Sequence, residues 1–150
     1  MPKTEYSLNN IVIAIENEKV IGILLYFEND CKLPEAVNKH INVNKEQAED
    51  FDGVIQEYFA PLLSKIENTS IYINNLCVDI EARRQGVAGK LVDYLKQTFP
   101  DRKIILDCLE ENTTAVNFYL KFGFKITEHF LGFTGKEQEE IGCIKLEYRR

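Results

Sequence analysis

Between Ile71 and Ile80 the apolar residues change parity. Ile71 and Ile73 stand at odd positions, while Leu76, Val78 and Ile80 stand at even ones. Side chains of a strand alternate between two faces, so one apolar face demands one parity. A β-bulge at Asn74-Asn75 adds the single residue that restores the phase. A strand buried on both faces also tolerates the pattern, and the residues alone leave that alternative open. The segments after this strand narrow the fold further. Val87 to Phe99 has helical period, with Val87, Ala88, Leu91, Val92, Leu95 and Phe99 on one side, and Pro100-Asp101 ends it. Ile104 to Leu109 is then an apolar run without alternation, the pattern of a buried strand in a parallel part of a sheet. Strand, helix and strand in this order predict one right-handed crossover.

Antiparallel elements are expected around that unit. Ile11–Ile15 and Val20–Phe27 are apolar runs separated by Glu16-Asn17-Glu18-Lys19, which predicts a β-hairpin. Cys31 to Asn44 has no clear period. From Lys45, the residues Ala48, Phe51, Ile55, Tyr58, Phe59, Leu62, Leu63 and Ile66 recur at helical steps, with Pro61 expected to kink or split the helix. Asn112 is placed as an N-cap for a helix over Thr113–Phe122, with Gly123 as its stop. Two final strands are expected near Phe124–Phe130 and Ile141–Tyr148. The predicted class is α/β, with a mixed, mostly antiparallel sheet.

The 150 residues suggest one domain, 1–150, with room for a core. The net charge of −6 and the lack of a basic stripe argue against nucleic acid as a partner. An acidic surface suits a cationic small substrate, although most acidic proteins are simply soluble. Cys31, Cys77, Cys108 and Cys143 share no CxxC spacing, and His40 and His129 have no metal-ligand spacing. Three of the cysteines sit inside apolar runs, so reduced core thiols in a cytoplasmic chain, with no metal, are expected. The first residues, MPKTEYSLNN, lack a signal-peptide core, and no run reaches membrane-spanning length.

One segment carries chemistry. Arg83-Arg84-Gln85-Gly86-Val87-Ala88-Gly89-Lys90 lies between a strand and a helix. Gly86, Ala88 and Gly89 are small enough for a ligand to approach the main chain. The first N–H groups of a helix lack intrahelical acceptors, and the helix dipole favours an anion there. Arg83, Arg84 and Lys90 add positive charge. In physical terms this is a pyrophosphate site, although such a turn can also be only a tight connection. The dinucleotide and Walker patterns are both absent, which weakens a nicotinamide or ATP reading.

Arg83-x-x-Gly86-x-Ala88 resembles the [R/Q]-x-x-G-x-[G/A] signature of the GCN5-related N-acetyltransferase (GNAT) superfamily. Leu76-Cys77-Val78-Asp79 resembles its strand end, with Ile80 where proline is common. Asn112-x-x-Ala115-x-x-Phe118-Tyr119-x-x-Phe122-Gly123-Phe124 resembles a second block of that family. The resemblance covers Val12–Phe27 weakly and Ile71–Phe130 strongly. It implies a sheet with a V-shaped splay between two parallel strands and helices on both faces. It implies acetyl-CoA as cofactor and a primary amine, on a small molecule or a protein N-terminus, as acceptor. The main chain of Leu76, Cys77 and Val78 would pair with the pantetheine arm, and the Val78 amide would donate to the thioester oxygen. Amides from Arg84, Gln85, Gly86, Val87, Ala88, Gly89 and Lys90 would hold the pyrophosphate. Asn112 and Asn117 would contact the cofactor, and Tyr119 would lie near the sulfur.

Transfer needs a neutral amine, so a base or a water wire must remove a proton. The leaving thiolate needs a proton in return, and a phenol can supply one. Tyr119 is the candidate acid, with core packing beside Phe118 and Phe122 as the rival reading. Asp107, a carboxylate in an apolar strand that is expensive to bury unpaired, is the candidate base. Glu57 is a second candidate, more simply read as part of a solvated face. Glu110 and Glu111 can bind a cationic acceptor or merely be exposed. Cys77 is a weak candidate acyl carrier, because a buried thiol is usually inert. A CoA-binding sensor without turnover, and an acyltransferase for longer chains, are the alternatives. Most family members place a strand and two helices before the first hairpin. Here about ten residues precede Ile11, so the 31–66 segment is expected to wall the acceptor site or to cover the sheet. A homodimer is compatible with the sequence, which does not name the amine.

Overall fold

The computed structural model describes residues 10–28, 69–134 and 139–150. The expected 45–66 helix, with Phe51, Tyr58, Phe59, Pro61 and Glu57, lies outside the described residues, as do Cys31 and His40.

The chain begins with a hairpin, β1 (Ile11–Glu16) and β2 (Lys19–Glu28). Asn17 and Glu18 turn it with φ of 49° and 64°, the left-handed pair that matches the twist of a two-residue hairpin loop. Strand β3 (Ile71–Val78) leads through a short 3-10 turn (Ile80–Ala82) to helix α1 (Val87–Thr98). Strand β4 (Ile104–Leu109), helix α2 (Thr113–Lys121), and strands β5 (Lys125–Thr134) and β6 (Glu139–Tyr148) come next. The strands form one sheet in the order β1-β2-β3-β4-β6-β5. Among the described residues only β3 and β4 run parallel; the other neighbours are antiparallel. The expected mixed sheet, and the expected order of the elements among the described residues, are thus observed. Strand β3 ends at Val78, as the sequence predicts, and Ile80 sits in the 3-10 turn, 75% exposed.

The parity slip is a bulge. Leu25 pairs with Asn75 and the adjacent Tyr26 with Ile73, so Asn74 is the extra residue on β3. Ile71 and Ile73 before it, and Leu76 and Val78 after it, then all pack on the same core. That core takes Leu24 and Tyr26 from β2, Leu91, Val92 and Leu95 from α1, Leu106 from β4, and Ile144 and Leu146 from β6. Burial of each such side chain stabilises the fold by about 1.5–3 kcal/mol.

One arginine fastens the end of the sheet where β3 starts. Arg102 Nε donates to the Thr69 carbonyl at 2.9 Å and Nη2 to the Ser70 carbonyl at 3.0 Å. Its Nη1 meets Glu28 Oε2 at 2.6 Å, which ties in the end of β2. The Ile71 amide donates to the Lys103 carbonyl at 2.8 Å, so the starts of β3 and β4 are joined.

Candidate active site

The two parallel strands separate almost at once. Their pairs are Ile71 with Ile104 and Tyr72 with Ile105, although β3 runs on to Val78 and β4 to Leu109. Beyond Tyr72 the strands diverge into the V expected from the sequence. The direction of the backbone in this gap is fixed from the β2 side. Asp79 donates its amide to the Ile21 carbonyl at 2.9 Å. Amides alternate in direction along a strand. The Leu76 and Val78 amides therefore point away from β2, into the gap. The Val78 carbonyl accepts from Arg83 Nε at 3.2 Å, so Arg83 is folded back onto the strand end.

At the mouth of the gap the chain enters α1 through two left-handed residues, Arg84 (φ 64°) and Gly86 (φ 81°). Such alternation curls successive N–H groups around one concavity, an anion-binding geometry. A Cβ built on Gly86 meets nothing within 4 Å, so the space above it is open. Two expectations for this loop need correction. A Cβ on Gly89 would collide with the Phe122 ring, so Gly89 is small because the residue that caps α2 packs against α1 there. The Lys90 amide donates to the Gly86 carbonyl at 3.0 Å and has none left for a ligand. Of the expected cradle amides this leaves Gln85 to Gly89, with the Arg84 main chain shaping the turn. Gln85 turns its side-chain amide to the Glu81 carbonyl at 2.9 Å, and Val87 is buried.

Tyr119 comes from α2 and is only 6% exposed, with its ring edge-on to Phe118 and Phe124. Burial pushes its phenol well above the ordinary tyrosine range, with smaller contributions from the nearby Cys108 and Cys77. Asp107 lies part-buried on β4, and its Oδ2 accepts from the Tyr72 hydroxyl of β3 at 3.1 Å. Burial first, and then the Asp107 charge, also push the Tyr72 phenol well up. This bond crosses just beyond the last paired rung of the two strands.

A family model described as the acetyltransferase (GNAT) family matches residues 3–124. The chain belongs to the GNAT family of acetyltransferases. No curated protein matches the sequence. Solved structures agree on the fold. An N-acetyltransferase from Staphylococcus aureus is 18% identical, with a TM-score of 0.67 over 97% of this chain and 73% of that one. Naa50 of Arabidopsis thaliana, bound to the bisubstrate analogue CoA-Ac-MVNAL, is 18% identical, with a TM-score of 0.58 over 93% and 72%. A Bacillus anthracis protein described as a streptothricin acetyltransferase, in complex with acetyl coenzyme A, is 20% identical with a TM-score of 0.60. This chain covers 61% of that protein, less than two thirds of its length. The family and the fold expected from the sequence both hold.

Other residues of the GNAT motifs fall in place unevenly. Asn112 caps α2, its side-chain oxygen accepting the Ala115 amide at 3.2 Å, and Asn117 is exposed on the same helix. Cys77 is a free thiol but exposed, not the core thiol expected, because β3 has left its neighbour β4 by this point; Cys108 and Cys143 are free and part-buried. Glu110 pairs with His129 Nδ1 at 2.9 Å, and Glu111 is exposed. Among the described residues no group of side chains is arranged to hold a metal, and no helix is long and apolar enough to cross a membrane. Tyr72 was missed in sequence. The signal was available, because a carboxylate in an apolar strand requires a partner, and a tyrosine stood two residues before the bulge of the neighbouring strand.

Proposed function

We propose that this GNAT chain transfers the acetyl group of acetyl-CoA directly to a primary amine of a small molecule or a protein N-terminus. The observation that carries the reading is the gap between β3 and β4, with free strand amides along one wall and the Gln85–Gly89 amides at its mouth. The residues present fit a diphosphate joined to a narrow, amide-lined tail. Open space over Gly86 admits the former, and the unpaired length of β3 admits the latter.

Acetyl-CoA, when bound, supplies an activated thioester. The Leu76 main chain pairs with its amide-bearing arm as an added strand would. The Val78 N–H donates to the carbonyl oxygen as negative charge grows there, a contribution worth about 3 kcal/mol. Asp107 takes the proton that the attacking amine sheds, directly or through water, while Tyr72 holds the carboxylate by one oxygen. Tyr119 stays protonated at neutral pH and donates a hydrogen bond to the departing sulfur. Burial makes its phenol a weaker acid than a free one, so stabilisation of the thiolate by that bond contributes more than full proton transfer. Asn117 and the free side-chain amide hydrogens of Asn112 contact the cofactor from α2.

Calorimetric titration with acetyl-CoA, followed by thiol release across a panel of amines, tests this. Saturable binding and amine-dependent release are expected. A chain that ignores coenzyme A at millimolar concentration overturns the proposal.

A further inference from the structure

Helix α2 ends in a turn that holds Tyr119 twice. Gly123 takes the left-handed φ of 85° common at such helix ends. Its amide donates to the Leu120 carbonyl at 3.0 Å, and the Phe124 amide donates to the Tyr119 carbonyl at 3.1 Å. This is the bond pair that closes a glycine-ended helix. The rings of Phe124 and Tyr119 meet edge-on with centroids 5.3 Å apart, the apolar contact that accompanies such an end. The turn therefore fixes both the main chain and the ring of Tyr119.

A lysine from the other helix closes on this turn. Lys96, in the last turn of α1, is half-buried and donates to the Phe122 carbonyl. That carbonyl ends α2, beyond the reach of the helix's own donors. The Lys96 ammonium stands 4.0 Å from the Tyr148 ring centroid and 5.5 Å from those of Phe122 and Phe124, all within range of cation–π attraction. It is also a cation at a helix C-terminus, where the dipole favours one. The same Phe122 sets its ring against Gly89, seven residues before Lys96. Seven residues make about two turns, so both contacts lie on one face of α1, about 10 Å apart along its axis. Helix α1 thus grips Phe122 by its ring beside the Gln85–Gly89 amides and by its carbonyl at Lys96.

We propose that Lys96 is a positioning residue for Tyr119. It ties the turn that aims the phenol to the helix whose start is the proposed diphosphate cradle. The inference rests on Tyr119 donating to the departing sulfur. Acetyl-CoA has a fixed covalent length between its diphosphate and its sulfur, so the helices that meet its two ends must keep one register. Misplacing a reacting group by about 1 Å costs about 100-fold in rate. Packed rings alone hold a register loosely, because apolar burial is non-directional. The ammonium adds a directional bond to one carbonyl of α2. Holding it there has a cost, since burial pushes Lys96 below the ordinary lysine range. The carbonyl and the three rings offset that cost.

The test is a double-mutant cycle on the full chain. Single-turnover acetyl transfer to the best amine of the panel, and acetyl-CoA affinity, are measured for Lys96→Met, for Tyr119→Phe and for the two together. Lys96→Met is expected to slow transfer about tenfold or more, while affinity stays within about twofold. In the Tyr119→Phe background the same change should alter the rate by less than about twofold, because the group it acts through has gone. An equal slowing in both backgrounds means that Lys96 supports the fold and not the phenol, and overturns the inference. So does transfer by Lys96→Met at the wild-type rate, or a loss of affinity as large as the loss of rate. Should Lys96→Met fail to fold, Tyr148→Leu, which removes the ring 4.0 Å from the ammonium, takes its place in the cycle with the same outcomes. Wild-type transfer by Tyr119→Phe alone instead overturns the reading of Tyr119 as donor to the sulfur, a failure distinct from an additive cycle.

Discussion

Gly86 and Gly89 lie one helical turn apart and are small for different reasons. Gly86 is small because of its φ of 81° and the open space above it, Gly89 because of the Phe122 ring. Substitution separates the two. Gly86→Ala is expected to cost about 1–2 kcal/mol of backbone strain and to weaken acetyl-CoA binding about tenfold or more. Gly89→Ala should destabilise by about 1–3 kcal/mol through overpacking, with a smaller effect on affinity. Thermal melts and calorimetry on the two variants check the contrast. At the Tyr72–Asp107 pair, with Asp107 as the proposed base, Asp107→Asn should lower kcat about 100-fold to 10,000-fold without moving the acetyl-CoA affinity, as single-turnover and binding measurements will show. The glycine-rich motif was legible in the sequence because it is contiguous. The pairing of Tyr72 with Asp107 was not, because the two are 35 residues apart and meet only through the β3–β4 register.

At the scale of elements, one inserted residue and one arginine shape the gap. Removing Asn74 would slip Leu76 and Val78 to the other face of the sheet, since a strand has period two. Both residues pack on the core, so the deletion should lower stability by several kcal/mol, about 2 for each displaced apolar side chain. It would also turn the amides now facing the gap toward β2, so any folded remainder should have lost acetyl-CoA binding. Arg102 acts at the opposite end of β3. Arg102→Ala leaves the half-buried Glu28 carboxylate and the Thr69 and Ser70 carbonyls without this donor. A loss of about 2–3 kcal/mol is expected, measurable by urea denaturation. The elements themselves were largely readable, because the hairpin, the α1 face, the Asn112 cap and the bulge all arise from local period and chemistry. Strand ends were less so: β5 continues past Phe130 to Thr134, and β6 begins at Glu139, before Ile141. Tertiary pairing, not local pattern, sets those limits.

Burial raises two phenols, one on β3 and one on α2, and alkaline stability is where this becomes visible. Tyr72 and Tyr119 are both raised, mainly by burial. An unfolded tyrosine ionises near pH 10. Above that pH the unfolded chain has released protons that the native chain still holds, so it binds fewer, and stability must fall as pH rises. Below about pH 10 both states carry the proton and the contribution of the two phenols is fully present. The same burial that makes Tyr119 a steady hydrogen-bond donor near the gap therefore sets an alkaline limit on the fold. Tyrosinate absorbance followed against pH is the measurement. Of the seven tyrosines, at least two should stay un-ionised past pH 11 and then titrate together with loss of the native circular dichroism. Tyr72→Phe and Tyr119→Phe should each remove one from the late group and flatten the decline of stability above pH 10. If instead all seven ionise near pH 10 with the fold intact, neither phenol is held as the packing around β3, β4 and α2 requires.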